Sequence, residues 1–183
     1  MRHTIGLLPA SGKPWHAGHD GLLRLAASEN DEVHLFISTS DRIKKGEFPI
    51  YGADMEFIWQ KFLEPVLPGN VIVTYGGTPV SHVYEELEAA EAAQEDEIFF
   101  KIYSDADDIL KFTDDKLNKS AHTLFMNGQI ERRSVDRTET TDISGTEMRQ
   151  CLQNNEQEKF ISFLPASARS SGTEIYKILK HIN

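Results

Sequence analysis

The stretch Thr4-Ile5-Gly6-Leu7-Leu8-Pro9 runs into Ala10-Ser11-Gly12-Lys13-Pro14-Trp15-His16-Ala17-Gly18-His19, after which Leu22, Leu23, Leu25 and Ala26 recur at helical spacing. An apolar run this short reads as a buried strand, and the pattern that follows it as an amphipathic helix. Strand, loop and helix recur along the chain. Further strand-like runs are Val33–Ser38, Val71–Tyr75 and Ile98–Tyr103. Met55, Ile58, Trp59 and Phe62 mark a second helix, which Asp54 is expected to cap and which ends before Pro65. A third is expected over residues 81–94, with Val83, Tyr84 and Leu87 inward. Parallel strands cannot be joined by a tight turn, so this alternation predicts an α/β fold with crossover helices.

Residues 111–136 admit two readings. Asn127-Gly128 between two apolar runs is a hairpin signal, whereas a parallel fifth strand after a long loop fits as well. The C-terminal stretch reads as helix over 156–164, stopped by Pro165, and again over 171–181 with Ile175, Ile178 and Leu179 inward. Ser171 and Glu174 have capping-box spacing. The expected organisation is one domain over 1–165 with a helical tail, 166–183, packed on it.

Composition narrows the classes. The chain has 183 residues, 19 basic against 29 acidic side chains, a net charge of −10 and one cysteine, Cys151. At roughly 150 residues per domain this is one domain, long enough to bury about 70% of its unfolded surface without a staple. A lone cysteine makes no internal disulfide, and no apolar run approaches the roughly 20 residues of a membrane span. The acidic balance disfavours non-specific nucleic-acid binding. A cytoplasmic protein that does not engage membranes, with a homo-oligomer left open, is expected.

In a doubly wound sheet, ligands bind beyond the carboxyl ends of the strands, where the strand order reverses. The loop after the first strand is therefore the first place to look. Its small residues let a ligand approach the backbone, the helix start favours an anion, and His16 and His19 can both face that end beside Lys13. The two histidines are three residues apart, a spacing that also suggests zinc. No other cluster supplies a third and fourth ligand, so phosphate is the better fit. A second constellation is Asp142-Ile143-Ser144-Gly145-Thr146-Glu147-Met148-Arg149. Ser144 and Glu147 form a capping-box pattern, but Arg149 early in a helix opposes the macrodipole, a cost that a bound polyphosphate would turn into a gain.

His16-Ala17-Gly18-His19 after a first strand, with Ile143-Ser144-Gly145-Thr146-x-x-Arg149 near the end, resembles the HxGH nucleotidylyltransferase superfamily. That group includes nicotinamide-mononucleotide and phosphopantetheine adenylyltransferases and small cytidylyltransferases, and the likeness runs from Thr4 to about Pro165. It implies a Rossmann-like five-stranded parallel sheet, with His16 and His19 on the triphosphate and Arg149 on its outer phosphates. It further implies Mg²⁺ bridging those oxygens, a nucleoside triphosphate (ATP favoured, CTP possible) and a phosphorylated small-molecule acceptor. Ala10, Ser11, Gly18, Ser144 and Thr146 would line the nucleotide site, with Lys13 a further cation. In Ser104-Asp105-Ala106-Asp107, Asp105 or Asp107 either holds the ribose or starts the next helical turn. Ser38 and Thr39 would wall the second substrate, with Arg42, Lys44 and Lys45 just beyond. Ala10-Ser11-Gly12 stands where many relatives carry Gly-Arg, and Gly145 replaces the second serine of the usual Ile-Ser-Ser-Thr. Arg137-Thr138-Glu139 hints at the cytidylyl version. A nucleotide-binding regulatory protein without turnover is the competing class; a class I aminoacyl-tRNA synthetase would need a longer chain.

Overall fold

A computed structural model describes residues 1–105, 107–135 and 144–183. Five strands, β1 (His3–Ala10), β2 (Glu32–Ile37), β3 (Val71–Tyr75), β4 (Ile98–Ser104) and β5 (Ile130–Ser134), form one sheet in the order β3-β2-β1-β4-β5. Every pairing is parallel, with Leu8 opposite Leu35, Leu7 opposite Ile102 and Ile102 opposite Arg132. This is the Rossmann-like doubly wound α/β arrangement. β1 carries two paired neighbours, and the connections leave it in opposite directions, so the chain reverses between β1 and β4.

Adjacent residues of one strand feed opposite faces, as the period of two requires. Leu8, Leu35 and Ile37 pack with α1 (Ala17–Glu29), α2 (Gly52–Ile58) and the C-terminal helices α6 (Gly145–Gln153), α7 (Gln157–Phe163) and α8 (Gly172–Lys180). Leu7, Phe36, Phe100 and Ile102 pack with α3 (Pro79–Ala92), α4 (Asp114–Ser120) and α5 (His122–Met126). Each fully buried leucine or phenylalanine contributes about 1.5–3 kcal/mol. Ala168, Ile175, Tyr176 and Leu179 share a cluster with Met55, Ile58 and Trp59, so the last helix lies on the core of the sheet. No described helix is long and apolar enough to cross a membrane.

One open reading is decided and two local expectations are corrected. Asn127-Gly128 ends a helix instead of turning a hairpin. Gly128 has φ +70°, its N–H goes to Phe125 and that of Gln129 to Leu124, the two bonds of a Schellman cap. Residues 123–126 are thus helical, and β5 joins β4 in parallel. Asp54 is not the cap of α2: the helix begins at Gly52, where any Cβ would lie 1.7 Å from the Thr39 carbonyl oxygen, and Asp54 instead receives His181 Nε2 at 2.6 Å. Ser171 forms no capping box with Glu174, because residues Ala166–Ser171 are already a 3-10 turn that enters α8 directly. An N-cap requires an extended residue, and Ser171 (φ −99°, ψ 10°) is not one.

Candidate functional site

The loop from β1 to α1 is shaped by its own side chains. Gly12 takes φ +57° against the Trp15 indole, and Trp15 is buried, edge-on to Trp59 at 4.8 Å. Trp15 also stacks on His19 (4.8 Å, 15°), and His19 stacks on His16 (3.7 Å, 27°). The three rings form one pile over the start of α1.

His16 is itself the N-cap of that helix. Its Nδ1 accepts from the N–H of Gly18 (3.1 Å) and of His19 (3.4 Å), while His19 Nδ1 accepts from His16 N–H at 3.3 Å. This is a capping box built from two imidazoles. The amides of Gly18 and His19, expected to face an anion, are thus taken up by a ring nitrogen. The consequence for the rings is definite: an Nδ1 that accepts carries no proton, so the proton of each neutral imidazole resides on Nε2.

Both histidines line a cleft of ≈ 730 Å³ with Pro9, Ala10, Ser11, Gly18, Ser104 and Asp105. It opens beyond the carboxyl ends of β1 and β4, at the reversal of strand order, where ligands collect in such sheets. A second lobe of ≈ 620 Å³ shares Pro9, Ala10, Ser11, Ser104 and Asp108 with the first, and adds Ser38, Thr78, Pro79 and Lys111. Asp105 Oδ1 accepts from the N–H groups of Asp107 and Asp108, so it builds the turn after β4 while facing the cleft. Ser38 lines the second lobe, its hydroxyl paired with that of Ser40 at 2.8 Å. Thr39 carries the carbonyl against which Gly52 packs, and it lines neither lobe among the described residues.

Lys13 and Arg149 meet at the loop itself, and neither lines the two lobes as described. The buried Lys13 ammonium donates to the carbonyls of Ser11 (3.1 Å) and Ser38 (2.5 Å), tying the end of β1 to the end of β2. Burial lowers its pKa to about 8, with Asp41 acting in the opposite direction. Arg149 Nη1 donates to the Lys13 carbonyl at 2.7 Å, and Nη2 to Thr146 Oγ1 at 3.1 Å. Gly145 makes this possible, since a Cβ there would stand 2.9 Å from Nη1. Burial and the like charge of Arg42 lower the Arg149 pKa, and Glu47 acts against them.

Ser144 and Glu147 form the expected capping box: Glu147 N–H donates to Ser144 Oγ at 3.2 Å, and Ser144 N–H to the Glu147 carboxylate at 2.9 Å. Those bonds hold the Glu147 carboxyl below its usual range. The start of α6 lies against the loop before α1, where a Cβ at Gly145 would stand 3.5 Å from the Lys13 carbonyl oxygen. Asp142, Ile143, Ala106 and the Arg137–Glu139 motif lie outside the described residues.

Sequence reasoning missed Glu47, Ser104 and Asp108. Glu47 carries no motif, and its position against Arg149 follows from a turn that returns through the Arg42–Ile50 bridge. Ser104 was legible as the last residue of β4, at the rim where ligands collect. Among the described residues no group of three or more His, Cys, Asp or Glu is placed to hold a metal.

Neither a family model nor a curated protein matches this sequence. Among solved structures, the chain superposes on TmcAL of Thermotoga maritima bound with α-thio ATP, at TM-score 0.50 and 12% identity. The match covers 99% of this chain and 56% of that one, so the chain spans about half the length of that structure. The likeness is one of fold: both contain the same layered α/β body.

Proposed function

We propose that the protein is a nucleotidylyltransferase. It would transfer a nucleoside monophosphate, AMP in preference to CMP, from a nucleoside triphosphate to a phosphorylated small-molecule acceptor. The observation that carries this reading is the histidine pair, whose Nδ1 atoms are consumed by the helix start while both rings line the cleft at the strand reversal. The ATP analogue in the structure of similar fold supports it.

In the proposed reaction an ionised phosphate oxygen of the acceptor attacks the α-phosphorus. That P–O bond forms as the bond to the bridging α–β oxygen breaks, and pyrophosphate departs with the electron pair. An ionised phosphate is already a nucleophile, so no general base is required, and the protein's work is positioning and charge stabilisation. His16 and His19 donate from Nε2 to oxygens that gain charge. Lys13 holds the loop that carries them, through Ser11 and Ser38. The described residues form no cage for a resident Mg²⁺. In this reading the ion belongs to the substrate, on the triphosphate oxygens and their waters.

Pyrophosphate release measured with ATP and with CTP, across a panel of phosphorylated acceptors, tests the reading. Release with one nucleotide and one acceptor class is expected. Tight nucleotide binding with no release from any acceptor would establish the regulatory alternative, and no nucleotide binding at all would end the proposal.

A further inference from the structure

Glu47 lies in the segment between β2 and α2, close to the Arg42–Ile50 bridge. Its carboxylate accepts from Arg42 Nε at 2.8 Å and Nη2 at 3.0 Å, and its Oε2 stands 3.3 Å from Arg149 Nε. That nitrogen is buried and has no aligned hydrogen-bond partner among the described residues. Two guanidiniums thus share one carboxylate, and the three groups sum to one positive charge in a chain whose net charge is −10. Lys44 adds its field to the same carboxylate.

The remaining geometry limits what this group can do. Arg149 spends Nη1 on the Lys13 carbonyl and Nη2 on Thr146, so its Nε edge, against Glu47, is where an anion can be received. Arg42 and Glu47 are each a little under one-third exposed, so solvent reaches the pair, whereas the Arg149 side chain is 8% exposed. Lys13, whose carbonyl takes Arg149 Nη1, also holds the carbonyls of Ser11 and Ser38, which line the two lobes, so this corner lies next to the cleft. A carboxylate fixed in place competes at an effective concentration of millimolar or more. A small monophosphate does not outcompete it. A polyphosphate whose other end is already held in the cleft competes intramolecularly and brings several oxygens to two guanidinium edges.

We infer that Glu47 is a specificity-determining residue: its carboxylate occupies an anion seat formed by Arg42 and Arg149 and gives way to the terminal phosphates of a polyphosphate but not to a monophosphate. The inference rests on the nucleotidyl-transfer reading only in naming the nucleotide's tail as that polyphosphate.

The test is calorimetric titration of the full chain and its Glu47→Gln variant with ATP, AMP and inorganic pyrophosphate. Glu47→Gln should tighten ATP and pyrophosphate about tenfold and leave AMP within about twofold, as expected for removal of a competing charge. Weaker pyrophosphate binding would make Glu47 a mere support for the arginines, and equal tightening of AMP would remove the selectivity; either result overturns the inference. The unaltered protein supplies a second readout independent of folding of the variant. Its Arg149 Nε–H resonance should move on adding pyrophosphate and stay in place with inorganic monophosphate, and an unmoved signal with both overturns the seat. If ATP fails to bind while pyrophosphate still moves that signal, the nucleotidyl-transfer reading falls and the seat stands.

Discussion

Arg149 Nη1 reaches the main-chain carbonyl of Lys13 at 2.7 Å, closing a contact across 136 positions of sequence. Lys13 in turn grips the carbonyl of Ser38. One residue therefore fastens the loop of β1 to β2 by its side chain and to α6 by its backbone. Both cations act on the shape of the loop that presents the histidines.

The first prediction concerns Gly145. A side chain at this position would displace a guanidinium held by two hydrogen bonds. Gly145→Ser should lower unfolding stability by about 1–3 kcal/mol, the cost of an unmade bond to a buried group. Urea denaturation measures it; an unchanged midpoint would show that Arg149 has another equally good position.

His19→Ala should reduce pyrophosphate release by about 10²–10³ while nucleotide still binds, since one transition-state donor is lost. Steady-state turnover beside equilibrium binding separates the two. Because His19 also closes the cap of α1, the same variant should lose about 1 kcal/mol of stability. Full turnover would remove this ring from the chemistry.

Lys13 carries a sign that differs from most surface lysines. Its folded pKa, about 8, lies below the ordinary lysine value of 10.5, because burial disfavours the charge. Between these values the unfolded chain binds more protons than the folded one, so Lys13 makes stability rise with pH across that window. Its ties to Ser11 and Ser38 weaken as the ammonium is lost, so turnover should fall above about pH 8 while stability does not. Lys13→Met should abolish the stability slope. A decline in stability and activity together would contradict the assignment.

His34 supplies the opposite case at the far side of the sheet. Burial disfavours its charge, yet the carboxylates of Glu86 and Glu32, one on each ring nitrogen, win and raise its pKa above 6.5. Its folded pKa exceeds the unfolded one, so the stabilisation is complete below pH 6.5 and is lost as pH rises through the raised value. His34→Gln should flatten that part of the curve. His3 stands 3.8 Å from Glu32 and 3.7 Å from Asp31 on the same side.

β1, β2 and β4 were legible because parallel strands buried on both faces read as unbroken apolar runs, and β3, an edge strand with Ile72 and Thr74 exposed, by its β-branched residues. β5 was legible only as one of two readings: Ile130–Ser134 is Ile-Glu-Arg-Arg-Ser, an edge strand whose arginines serve Phe112, Asp114 and Glu29. Asn-Gly has two common uses, and only the bonds to Leu124 and Phe125 decide between them. At the site, His16, His19 and the Ser144–Glu147 box could be placed from spacing. The cap made by the imidazoles could not, since Ser, Thr, Asp and Asn dominate that position and histidine gives no such signal. Nor could Glu47, because its contact with Arg149 joins segments a hundred residues apart.

The ring pile at the start of α1 also divides labour within each imidazole. The inner nitrogen completes the backbone, and the proton of the neutral ring resides on the outer one. A residue type usually prized for switching is here held to one tautomer by the architecture around it. The ring orientations are thus set when the chain folds, before any ligand arrives.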